Sequence, residues 1–114
     1  MVRCGYDPAD PDSALAFLEA NRAFHVAVAE LSGNRRLARI LARLLDEATR
    51  MLVLGLARRD RTGEMRAEHS ALIAALVAGD AEEAARLSAA EIGTSRAMVL
   101  DALLSPDAAT RIAT

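Results

Sequence analysis

The chain has 114 residues, a net charge of −2, 53% hydrophobic and 26% charged residues, which is enough for one folded domain with a modest core and excludes a disordered tail. The balance of charge lacks the basic excess of a dedicated DNA-binding domain. Aromatics make up only 3% and Trp is absent, so Leu, Ala, Val and Ile must fill the core.

Residues 1–12 carry two Asp-Pro pairs and a Gly, and read as an extended lead-in. Asp10 or Asp12 can cap a first helix, with Pro11 tolerated in its first turn. That helix runs to about Ser32, and Gly33-Asn34 ends it and starts the next. The second helix spans roughly Arg35 to Leu56, with Leu37, Ile40, Leu41, Leu44, Leu45, Met51 and Leu52 as expected core residues. A polar segment over 58–63 follows. The third helix runs from about Glu64 to Ala78 and stops at Gly79; Asp80 caps a fourth that reaches about Leu104. Ser105-Pro106 breaks it and leaves a tail over 105–114. No strand pattern or internal repeat appears. The expected domain is residues 13–104, an all-α, antiparallel helical bundle of about four main helices.

The single Cys4 cannot form an internal disulfide, and nothing suggests an oxidising compartment. No apolar run approaches the roughly 20 residues of a membrane span, and no charged-then-apolar secretion signal opens the chain. The expected location is the cytoplasm, with no membrane partner.

Four polar residues interrupt the apolar stripes. At about 100° per residue, Phe17, Asn21, Phe24, Val28 and Leu31 share one face of the first helix, and His25 flanks it. On the third helix His69 lies among Met65, Leu72 and Leu76. On the fourth, Glu91 lies among Ala84, Leu87, Ser95, Met98 and Ala102. A buried His, Asn or Glu without a partner costs on the order of 1–3 kcal/mol, so such groups require one another or a ligand. His69 and Glu91 both sit roughly 15–18 Å from the Gly79 turn at the helical rise, so they can meet across a hairpin. Two imidazoles, a carboxylate and an amide oxygen can hold a divalent cation such as Zn²⁺, Mn²⁺, Ni²⁺ or Fe²⁺ with positions left open. The same residues can instead form a hydrogen-bonded polar cluster, His69 to Glu91 and His25 to Asn21.

Other groups carry less. Arg35, Arg36, Arg39, Arg43 and Arg50 form a basic run that reads as a solvated or partner-facing surface. Glu68 reads as a surface charge, and Arg96 can pair with an acidic effector. His69 can act as a base, but no Ser or Cys is placed for it to activate, so an enzyme is not expected.

The segments "NRAFHVAVAELSGN" (21–34), "EHSALIAALVAGDAEEAARL" (68–87) and "EIGTSRAMVLDAL" (91–103) resemble, in the same order, the motifs of the FCD domain. That is the effector-binding domain, of FadR C-terminal type, of GntR-family bacterial transcription regulators. The resemblance covers roughly residues 12–104. It implies a metal bound by one Asp and three His, and a small organic acid held with its help. By position the Asp falls on Asn21, two His on His25 and His69, and the third His on Glu91. Asp to Asn removes a negative charge and His to Glu adds one, so the set keeps its formal charge. The family's N-terminal winged helix-turn-helix has no counterpart here, and DNA would be reached only through one. The first helices of the effector domain also have no counterpart, which implies uncovered apolar surface and a homodimer. The resemblance thus implies a ligand-sensing and dimerisation domain that binds a small carboxylate; Arg96, at the edge of the fourth helix's stripe, is the candidate contact for it, or else forms a surface pair. The rival readings are a structural dimerisation module without metal and a metal-dependent enzyme.

Overall fold

The structure, a computed structural model, describes Asp7 and residues 10–105. The expected lead-in, apart from Asp7 and residues 10–12, the tail beyond Ser105, and Cys4 lie outside the described residues. The fold is all-α, with four helices and no strand among the described residues: α1 (Pro11–Leu31), α2 (Arg35–Arg58), α3 (Thr62–Val77) and α4 (Ala81–Leu103). No helix among them is long and apolar enough to cross a membrane.

The helix ends follow from local chemistry. Asp10 caps α1 through its side chain, which accepts from the Asp12 amide, and Pro11 takes the first position. Asn34 Oδ1 accepts from the Leu37 amide at 3.0 Å and starts α2. Asp60 Oδ1 accepts from both the amide and hydroxyl of Thr62, at 2.9 and 2.6 Å, and so caps α3 from one residue further back. Gly79 closes α3 at φ 71°. The amide of Gly79 donates to Leu76 O and that of Asp80 to Ala75 O, the paired bonds of a Schellman turn. Asp80 Oδ1 then accepts from the Glu83 amide at 3.0 Å and opens α4.

The chain divides into two compact units, Met1–Val53 and Leu54–Thr114. In the first, α1 buries Ala14, Phe17, Leu18, Asn21 and Ala29. Leu31, expected on the same stripe, is exposed, because it falls in the last turn before Gly33. Arg22 of α1 pairs with Asp46 of α2 at 2.8 Å. The expected core of α2 is corrected in part: Leu37, Ile40, Leu44 and Met51 are exposed, while Leu41, Leu45 and Leu52 are half-buried. The seven expected core residues of α2 span about 140° of its circumference at the helical repeat, more than one packed face covers.

The second unit is a helical hairpin. Met65, His69, Leu72 and Ala75 on α3 and Ala84, Glu91, Met98 and Ala102 on α4 form its buried faces, and Leu56 is buried beside them in sequence at the end of α2. Leu76, expected on the α3 stripe, is exposed and Ala75 is buried in its place. Small residues at Ala75 and Ala84 let the two helices approach near the turn, where a Leu side chain would hold them apart.

Candidate ligand and metal site

The hairpin register sets the site. His69 and Glu91 lie eleven positions either side of Asp80, on opposite antiparallel helices. They meet as their depth predicts: His69 Nε2 lies 2.9 Å from Glu91 Oε1, and the two side chains are 1% and 7% exposed. An imidazole nitrogen and a carboxylate oxygen at this separation match two neighbouring ligands of one ion. Octahedral coordination, with bonds of about 2.0–2.2 Å at right angles, places donor atoms about 3 Å apart, whereas a tetrahedral ion sets them about 3.4 Å apart.

A second polar layer stands beside the pair and was not foreseen. Arg61, assigned from sequence to a polar connector, is fully buried. Its Nε donates to Glu64 Oε2 at 2.8 Å, Nη2 to Glu68 Oε1 at 2.8 Å, and Nη1 to Ser95 Oγ at 3.4 Å. Ser95 is one turn beyond Glu91 on α4, so the two layers are adjacent. Glu68 is corrected as well: its side chain is three-quarters buried and paired, not a surface charge. Burial pushes the Glu68 carboxyl above its ordinary range; Arg61 opposes this and the Glu91 carboxylate adds to it. The hydrogen bond from Arg61 draws the outer Glu64 carboxyl below its ordinary value. Arg is rarely buried, so composition hid it. The only sequence signal was the spacing of Arg61, Glu64 and Glu68, which share one face of a helix at i, i+3 and i+7.

Two further expected site residues, Asn21 and His25, lie in the first unit, one turn apart on α1. Asn21 is buried, and its Oδ1 has no hydrogen-bond partner among the described residues. His25 is half-buried and stands edge-on to Phe24, with ring centroids 5.2 Å apart. Arg96 is exposed on α4. The first unit also holds an open groove of about 670 Å³ lined by Val26, Glu30, Arg35 and Arg39 among others. Its charged side chains are all exposed, so it lacks the desolvated polar groups of a built site.

The FCD domain model matches residues 5–93. The chain belongs to the FCD family. FCD is the effector-binding domain of GntR-family regulators, so the chain is a regulatory effector-binding module. The matched span includes Asn21, His25, His69 and Glu91 and stops before Arg96. No curated protein and no solved structure matches the chain.

Proposed function

We propose that the chain is the ligand-sensing and self-associating part of a GntR/FCD-type regulator, acting in the cytoplasm. It binds a small organic acid through a divalent metal held by His69 and Glu91. The observation that carries this reading is the desolvated His69–Glu91 contact at 2.9 Å in a chain of this family.

The residues present fit a cation. Glu68 is paired with the buried Arg61 guanidinium, and the buried Glu91 carboxylate faces His69; a carboxylate and an imidazole are donor types that a divalent cation takes. The buried, unpartnered Asn21 Oδ1 is an oxygen that a ligand would satisfy. A bound divalent metal would supply an open coordination position for a carboxylate. The chain's own residues do the rest. His69 and Glu91 orient one another across α3 and α4, and Arg61 keeps Glu68 neutralised beside them. Arg96 is the proposed outer contact for the effector. Binding across two helices biases their packing, which is how occupancy would reach a DNA-reading domain.

Thermal unfolding tests this. ZnCl₂, MnCl₂ or NiCl₂ is expected to raise the midpoint, and lactate, malate or succinate to raise it further only with metal present. The 2.9 Å contact also suits a second reading, a metal-free ion pair in a structural module. That reading requires no metal response and little loss when both residues become apolar.

A further inference from the structure

The exposed residues of α2 are ordered. Leu37, Ile40, Leu44 and Met51, each more than two-fifths exposed, fall within about 60° of one another at 100° per residue. They make one apolar stripe along the first unit's portion of the helix. Arg36 and Glu47 are eleven residues apart, and so lie within about 20° of each other. Both are exposed, on the same edge of that stripe.

This pattern is complementary to itself. When two α2 helices cross antiparallel about a two-fold axis, the same edge of each faces its equivalent. With Ile40 opposite Leu44 of the second copy, the crossing centres on Ala42. Arg36 then lies about 9 Å along the axis, and Glu47 of the second copy about 7.5 Å along it on the same side. The two opposite charges meet, and symmetry repeats the pair at the other end.

We propose that the α2 stripe is the interface with a second copy of this chain, with reciprocal Arg36–Glu47 ion pairs setting its antiparallel register. This rests on the self-association part of the proposed function and names the surface that performs it. An acidic helix from another protein would meet the Arg edge, but it would leave Glu47 against like charge; a second copy pairs Glu47 with Arg36 at both ends, and Arg43, one residue from the crossing point on the same edge, faces its own equivalent at the centre.

Sedimentation velocity on the chain across micromolar concentrations tests it, with Arg36→Glu, Glu47→Arg and the double reversal. All three changes are on exposed positions, and unchanged far-UV circular dichroism confirms folding. The expected result is a dimer that each single reversal weakens by about tenfold or more and that the double reversal restores. Leu44→Asp is expected to give a folded monomer. A wild-type monomer overturns both this interface and self-association. A dimer that no reversal weakens, or that the double reversal fails to restore, overturns the α2 interface alone.

Discussion

Arg61→Ala is the most informative single change in the hairpin. The substitution removes a guanidinium that is 1% exposed and takes with it contacts to Glu64, Glu68 and Ser95. Removing one partner of a buried charge pair costs about 3–5 kcal/mol, mostly from the charge left behind. Here the stranded carboxylates are not equally dry. Glu64 is half-exposed and water recovers it; Glu68 is only a quarter exposed and pays most of the penalty. The discounted cost is about 2–4 kcal/mol, a midpoint drop on the order of 10 °C or more for a chain of this size. Arg59→Ala is the control. It breaks a contact to the same Glu64, but at 3.4 Å between side chains that are both more than half exposed, and is expected to cost about 0.5 kcal/mol or less. Urea unfolding followed by far-UV circular dichroism compares them. Adding Glu68→Gln to Arg61→Ala removes the stranded charge and should return on the order of 1 kcal/mol. If Arg61→Ala costs no more than Arg59→Ala, the buried ionic layer does not support the hairpin as argued.

Further expectations use the same unfolding assay. Gly93 lies inside α4, and a Cβ built there meets nothing within 4 Å; Gly93→Ala should stabilise by about 0.5–1 kcal/mol through helix propensity. Gly79→Ala should instead destabilise by about 1 kcal/mol or more, since φ is 71° there and an L side chain is strained. Asp80→Ala should cost about 1 kcal/mol by losing the cap on the Glu83 amide. The Arg86 hydrogen bond holds the Glu83 carboxyl below its ordinary value. Any stability it adds is therefore present above the unfolded carboxylate range and lost as pH falls through the lowered value. Both groups are at the surface, so the difference between wild type and Glu83→Gln should vanish in high salt.

The legible parts of this fold were those set by local rules. Asp10, Asn34 and Asp80 announced helix starts and Gly33 and Gly79 announced turns, because capping and left-handed backbone depend on a few neighbouring residues. The equal distance of His69 and Glu91 from the Gly79-Asp80 turn made their meeting readable as well, since hairpin register is simple counting. Arg61 was hidden because its burial depends on where α4 places Ser95, a non-local fact. The side of α2 that stays exposed was hidden for the same reason: periodicity marks an apolar arc but not how much of it one chain covers. Leu76 and Ala75 show the limit at single-residue scale, where close approach near a turn selected the smaller neighbour.

The measurement that bears most directly on the proposed function is elemental analysis of the purified chain beside a His69→Ala, Glu91→Ala double variant. The account predicts about one divalent transition metal per chain, lost in the variant while helix content is retained. Absence of metal from the wild-type chain, even after loading at neutral pH, would contradict it and leave His69 and Glu91 as a structural ion pair.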